Sequence, residues 1–343
     1  LINPDNTGII LVVYFSGNPI LAQNTNGNAN YSLYANGELV DSQNNVNFYN
    51  GFQFTNLSEN QYCELHINQG DSTIVKKFTI LVNNTTIESI PDGIEDGINY
   101  NEDTSKATLV LSAPHKDFIY VAGDFNFWSP TSQYAMKKDS TSERFWLEME
   151  GLDPGEIYTY QYWVSDLSPI DESPSLVKTA DPFSTMVLSP FDDPWIPETS
   201  YPNLPEYPYD FGIEREVTVL KTGQEQYNWQ VENFEKPKEE DLIIYEVLIR
   251  DFDSERTFQN LIDRIDYFKD LNINAIELMP VMEYEGNESW GYNTAFHMSV
   301  DKFYGPEEKL KEFIDLCHQN GIAVIFDLVM NHVMGRSPMN RMW

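Results

Sequence analysis

Between Asp241 and His332 two hydrophobic periods alternate, and no other feature limits the fold as much. Asp241 to Ile249 (DLIIYEVLI) reads as a strand. Phe258, Leu261, Ile262, Ile265 and Phe268 then recur at helical spacing, with Leu271 close behind. A short strand from Ala275 to Met279 is stopped by Pro280. A second helix follows, opened by Gly305 and Pro306, with Leu310, Phe313, Ile314 and Cys317 on one stripe, and is closed by Gly321. Ile322 to Val329 is a third apolar, β-branched run of strand length. Strand, helix, strand, helix, strand is the grammar of right-handed parallel α/β units.

The third run contains an aspartate, Asp327, and ends in Asn331 and His332. A carboxylate inside a dry strand costs several kcal/mol unless a partner stabilises it, so packing does not explain Asp327. Alternation puts Ile325, Asp327 and Val329 on one face. The polar pair follows at the carboxyl end, where parallel sheets and barrels build their sites. The connection after Met279 far exceeds the usual ~2–6 residues, and its centre reads Trp290-Gly291-Tyr292-Asn293. Its aromatic pair suits either a core or the apolar C–H face of a sugar.

These segments resemble the α-amylase family, glycoside hydrolase family 13. Asp327-Leu328-Val329-Met330-Asn331-His332 looks like the family's segment at the end of the third barrel strand. Ser289-Trp290-Gly291-Tyr292-Asn293, followed by Asp301-Lys302-Phe303-Tyr304-Gly305, resembles the loop after the second strand, and Ile244-Tyr245-Glu246-Val247 resembles the first strand. The resemblance implies a (β/α)8 TIM barrel acting on starch- or glycogen-type α-glucan by retaining hydrolysis of α-glucosidic bonds. It implies that Tyr292 stacks on the sugar on the non-reducing side of the cleaved bond and that Asp327, His332 and Trp290 bind substrate there. Asn331 matches a position that ligates calcium in many members; no organic cofactor is implied.

The family's nucleophilic aspartate follows its fourth strand and its acid/base glutamate the fifth, and neither is expected in this chain. Asp241 to Trp343 supplies well under half of the about 250 residues a barrel takes. The expectation is a truncated barrel of three strands, the front of a longer enzyme whose nucleophile and acid/base lie beyond Trp343, and a 343-residue chain that is inactive. Glu246, Glu277 and Glu283 are not candidates for those roles, because a retaining pair flanks the sugar at about 5 Å. The alternatives are a branching or other transglycosylating enzyme of the same family and a non-catalytic glucan-binding surface protein.

Upstream, the chain reads as all-β. Ile9 to Phe15, Tyr31 to Tyr34, Phe48 to Phe54, Tyr62 to Ile67 and Ile74 to Val82 are short alternating segments between Asn/Gly-rich turns, which suggests an immunoglobulin-like β-sandwich over residues 1–92. A second β-sandwich is expected over 93–200, with strands at Ala107 to Leu111, Phe118 to Ala122, Arg144 to Glu148 and Tyr158 to Val164. There Gly123-Asp124-Phe125-Asn126-Phe127-Trp128 and Tyr160-Gln161-Tyr162-Trp163 resemble the family 48 carbohydrate-binding module. In glucan-binding copies the residue matching Trp128 stacks on glucose; other copies only brace a barrel. Trp146 and Trp163 read as core. Prolines from 190 to 208 suggest that 201–240 is a stiff linker lying against a surface, leading to the incomplete barrel of 241–343.

Lys plus Arg number 21 against 54 Asp plus Glu, a net charge of −33 that repels nucleic acid and anionic lipid. It suits a neutral glucan, and solubility alone would also explain it. No apolar run reaches the ~20 residues of a membrane span. Cys63 and Cys317 read as free, buried thiols. The sequence opens at Leu1 without a methionine or a basic-then-apolar leader, so a removed signal or a trimmed start is expected, with an extracellular, cell-surface or periplasmic location, or a cytoplasmic one for a branching-type enzyme.

Overall fold

The computed structural model describes residues 18–170, 173–211 and 213–343, together with the backbone of 9–12. The first seven strands are β1 (Ile9–Val12), β2 (Pro19–Asn24), β3 (Ala29–Ala35), β4 (Glu38–Val46), β5 (Phe48–Gln53), β6 (Gln61–Gln69) and β7 (Ser72–Ile80). They form two sheets, ordered β1-β2-β5 and β4-β3-β6-β7. Alternation sets what lies between them: Tyr31 and Leu33 of β3 and Cys63, Leu65 and Ile67 of β6 face Ile20, Ala22 and Tyr49 of the other sheet. The Tyr49 hydroxyl donates to Asp41 at 2.7 Å, which gives a fully buried ring a partner for its polar tip. β2 and β4 were not foreseen, since Asn- and Gln-rich strands read as turn. Of the strand expected over Ile9 to Phe15, residues 13–15 lie outside the described residues.

The next nine strands are β8 (Gly97–Tyr100), β9 (Lys106–Ser112), β10 (Phe118–Gly123), β11 (Lys137–Lys138), β12 (Arg144–Glu150), β13 (Tyr158–Ser165), β14 (Leu176–Thr179), β15 (Val187–Leu188) and β16 (Val217–Leu220). One sheet runs β11-β12-β9-β8; the other runs β10-β13-β16-β15, with β14 also on β13. Leu109, Leu111, Ile119, Val121, Phe145 and Tyr160 fill the space between them. Tyr160 and Tyr162 both donate to one oxygen of Asp181 at 3.0 Å, while Phe183 N donates to the other at 2.8 Å. Burial nevertheless pushes Asp181 up to about 6.

β16 corrects the linker expected over 201–240. Val217-Thr218-Val219-Leu220 pairs with Tyr158, Thr159 and Tyr160 and is buried along its whole length. The prolines and charges around it hid a four-residue β-branched strand. The proline-rich stretch before it is a cover rather than a spacer. Tyr207 is packed with Trp163 and Leu188 on the outer face of β13, and its hydroxyl donates to the Arg215 carbonyl at 2.6 Å.

The C-terminal part has three parallel strands, β17 (Ile244–Val247), β18 (Ala275–Leu278) and β21 (Ala323–Phe326), in register Glu246↔Glu277↔Ile325. α1 (Ile249–Phe252), α2 (Phe258–Asp263), α3 (Ile265–Asp270) and α4 (Glu307–Gln319) lie between them, and α5 (Pro338–Arg341) follows. The one helix expected after β17 is broken at Arg264, whose guanidinium turns aside to Asp253 at 2.6 Å. Tyr245, Ile276 and Val324 face these helices, whereas Ile244, Glu246 and Glu277 lie on the other, open face. Cys317 is buried on α4 as a free thiol, as is Cys63 on β6. Among the described residues no helix is long and apolar enough to cross a membrane.

The long connection after β18 folds into a hairpin, β19 (Met282–Tyr284) and β20 (Thr294–Val300), which docks on the second sandwich. Ala295 and Phe296 pack on Ala180 and Val187, and Ser299 donates to the Ser184 carbonyl at 2.6 Å. A buried ion cluster sits beside this contact. Lys302, 2% exposed, pairs with Glu283 of the hairpin and with Asp193 of the segment leaving the sandwich at 3.3 Å. Asp301, also buried, accepts from Phe303 N at 3.0 Å. Arg336 reaches Asp192 next door.

Candidate functional site

The hairpin loop is held shut before any ligand enters. Asn293 Nδ2 donates to the Glu285 carbonyl at 2.8 Å, and the Glu285 carboxylate accepts from Arg336 N at 2.6 Å. Gly291 makes the turn possible: its φ is +91°, and a Cβ there would come 2.3 Å from the Pro280 carbonyl oxygen. The next residue is thereby thrown over the end of the parallel sheet.

That residue is Tyr292, and its hydroxyl donates to Asp327 Oδ2 at 2.5 Å. The bond explains the aspartate at the end of β21: its charge has a phenol partner rather than a dry core. His332 Nδ1 lies 2.9 Å from the Tyr292 carbonyl, which can only accept, so Nδ1 carries the proton and Nε2 is left for a ligand. The His332 carbonyl in turn accepts from His297 Nε2 at 3.1 Å. Tyr292, from the hairpin loop, thus joins Asp327 and His332 in one hydrogen-bonded chain.

The site is acidic. The Asp327 hydrogen bond, followed by burial and the charges of Asp327, Glu246 and Glu277, pushes the Tyr292 phenol up to about 12. Glu246 and Glu277 are register partners on neighbouring strands, below the tyrosine. Glu283 is elsewhere, in the ion cluster with Lys302, where burial pushes it up to about 7. Trp290 stands 60% exposed beside Tyr292 at 38%. Asn331 is exposed on the loop that follows Asp327. Calcium takes about 6–8 oxygen ligands. Among the described residues no group of three or more His, Cys, Asp or Glu side chains gathers to hold a metal, so calcium at Asn331 would have to draw on amide and backbone carbonyl oxygens.

Trp128 is not presented to solvent, which of the two alternatives for it, sugar platform or brace, favours the brace. It is 5% exposed, packed with Tyr120, Trp163 and Val217, and its indole nitrogen donates to Asp124 at 3.1 Å. The neighbouring Phe127 is the exposed ring, at 77%. Both residues have positive φ, 51° and 57°, and this double left-handed step turns the tryptophan inward. His297 was missed by sequence reasoning; its signal was an imidazole set between Phe296 and Met298 in β20.

Residues 249–338 match the family described as "Alpha amylase, catalytic domain". These residues are α-amylase-family sequence. The malto-oligosyltrehalose trehalohydrolase of Saccharolobus solfataricus is 40% identical over 107 residues, 31% of this chain and 19% of that protein. The 1,4-alpha-glucan branching enzyme GlgB of Chlamydia caviae is 29% identical over 233 residues, 65% of this chain and 28% of that one. The chain therefore spans well under half the length of the curated relatives it matches. A fold likeness extends further: a structure of the group B streptococcal pullulanase SAP in complex with maltotetraose covers 93% of this chain and 45% of its own, with a TM-score of 0.51 at 15% identity. The arrangement of β layers leading into parallel α/β units is thus one found in a multidomain enzyme.

Proposed function

We infer that this chain supplies the sugar-holding floor of an α-glucan-active enzyme that cleaves α-glucosidic bonds with retention. The observation that carries the reading is the Tyr292–Asp327 hydrogen bond at the carboxyl end of a parallel strand, with His332 latched to the same tyrosine. The half-exposed ring of Tyr292 offers a π face to the C–H face of a glucose unit. Asp327 has a second oxygen to accept from a sugar hydroxyl, and His332 Nε2 can accept from another. The hydrogen bonds fix all three before binding, so little entropy is lost in ordering them.

Bond cleavage needs a nucleophile and a proton donor on opposite sides of the sugar. Glu246 and Glu277 stand side by side on one sheet face and cannot flank it. We assign neither role to residues 1–343. The branching-enzyme likeness runs over 65% of the chain, more than the parallel strands alone occupy, which favours glucan transfer as the second reading.

Calorimetry with maltoheptaose, alongside a reducing-sugar assay, tests this. The 343-residue chain should bind the sugar and release none. Tyr292→Ala should weaken binding by about 1–3 kcal/mol, the scale of a central aromatic contact. Unchanged affinity in Tyr292→Ala would remove the site, and sustained sugar release would overturn the assignment of roles.

A further inference from the structure

Two adjoining cavities, of about 210 and 560 Å³, share Tyr100, Lys221, Gln224 and Glu308 in their walls. They form one trough along the seam between the second sandwich and α4. Ligand clefts commonly measure about 300–1,000 Å³. The trough shares no lining residue with Tyr292, Asp327 and His332.

Its aromatic walls are built rather than incidental. Tyr100 ends β8 and stays 47% exposed; its hydroxyl accepts from Gln224 Nε2 at 3.4 Å. Trp229, 39% exposed, stands opposite, with Tyr227 edge-on to it at 4.8 Å. The strap that carries both is fixed to α4 by Asp315. This carboxylate, on a residue 2% exposed, accepts from Gln230 N at 2.8 Å, Val231 N at 3.0 Å and the Tyr227 hydroxyl at 3.5 Å. Phe234 stacks on His318 farther along the same helix, with ring centroids 4.0 Å apart.

The lining chemistry selects the ligand. Asn101, Gln224 and Gln226 offer amides that both donate and accept, as hydroxyl groups require. Of the lysines in the walls, Lys302 pairs with Glu283 and Lys311 with Glu307 at 2.5 Å, and Lys221 shares the lining with Glu225 and Glu308, so no cluster of positive charge forms. Glu225, Glu308 and a net charge of −33 oppose an anionic polymer. Exposed aromatic faces with amides and no cationic patch fit an uncharged polyol chain. We propose that this trough is a second binding site for an α-glucan chain, on the helix side of the molecule and separate from the strand-end site. The glucan identity rests on the functional reading above.

The test uses the full chain, hydrogen exchange with maltoheptaose or cellohexaose, and electrophoresis through glycogen. Maltoheptaose should slow exchange in peptides covering 98–104 and 221–231 as well as in those covering 289–293 and 327–333. The pair Trp229→Ala with Tyr100→Ala should weaken glycogen retention about tenfold, an aromatic contact's worth, and leave protection at 289–293 intact. Protection confined to 289–293 and 327–333, with glycogen retention unchanged in the pair, would overturn the trough and leave the strand-end site standing. Protection at 221–231 by cellohexaose and not by maltoheptaose would refute the α-glucan assignment of the trough, while protection at 289–293 by maltoheptaose decides the strand-end site separately. No protection by either sugar would overturn both proposals.

Discussion

Lys302→Met should give a stability defect whose size depends on pH. Lys302 is 2% exposed and faces Glu283, Asp193 and Asp301 at the contact between the hairpin and the second sandwich. Methionine keeps most of the stem volume, so the change is electrostatic rather than a cavity. Glu283 lies at about 7 even with the lysine present, because the burial penalty exceeds the attraction to Lys302. Its folded value lies above its unfolded one, so its stabilising contribution is complete below about 4.5 and is lost as pH rises through the folded value. Without the lysine that folded value moves higher. Below about 7 parent and variant both hold a protonated Glu283, so the deficit there is only the part left by Asp193 and Asp301. Above it the deficit of the variant should grow by about 1.4 kcal/mol per pH unit, toward the ~3–5 kcal/mol of an orphaned buried charge. Scanning calorimetry of both proteins at pH 6, 7.5 and 9 measures this. Glu283→Gln in the Lys302→Met background should flatten the slope, with Asp193 and Asp301 accounting for what remains. A deficit of equal size at pH 6 and pH 9 would refute the reasoning.

Trp128→Ala should destabilise the second sandwich by about 3–5 kcal/mol, the cost of a large aromatic cavity, and leave glycogen binding in the cold unchanged; a sugar-binding defect in a protein of parental melting temperature would restore Trp128 as a platform. Gly291→Ala should both lower the melting temperature and weaken maltoheptaose binding, because the new Cβ at 2.3 Å from the Pro280 oxygen must push the Tyr292 loop off Asp327. Retained affinity in that variant would show that the loop position is not set there. The parent should melt higher at pH 5 than at pH 7.5, since burial raises Asp181 to about 6 and Glu283 to about 7 and both contributions fade as pH rises. A melting temperature that climbs steadily over that range would contradict it.

The α/β units were legible because the hydrophobic period is a local property. Phe258, Leu310, Phe313 and Cys317 declare their helices whatever surrounds them. Asp327 was legible for the opposite reason, as a charge where a strand should be apolar. β16 was not, because Val217–Leu220 is too short to stand out and acquires its meaning from β13, far away in sequence. Trp128 stayed open for a geometric reason. A tryptophan in a turn suits either platform or brace, and the two left-handed residues that rotate it inward leave no mark in composition. The ion cluster around Lys302 was equally silent, since Asp193 and Glu283 meet only after the hairpin docks.

The same docking decides which parts of such a chain can be exchanged between proteins. Asp192 and Asp193 leave the second sandwich to meet Arg336 and Lys302, so a crossover at residue 200 or 240 would place carboxylates in one parent's gene and their cations in the other's. Asp315 adds another lock, because it grips a strap that a hybrid would have to inherit along with α4. The seam ahead of Gly97 is knit as well: Leu81 is buried with Phe118 and Tyr120, the Tyr120 hydroxyl donates to the Val82 carbonyl at 2.8 Å, Lys138 N to the Thr86 carbonyl at 2.9 Å and Trp146 Nε1 to the Glu88 carbonyl at 3.0 Å, whereas residues before 81 add only bonds such as Ser132 Oγ to Glu59 at 2.8 Å. A replacement of the first sandwich would therefore have to end before Leu81 and leave 81–96 with the second. The second sandwich and the parallel strands must be inherited together.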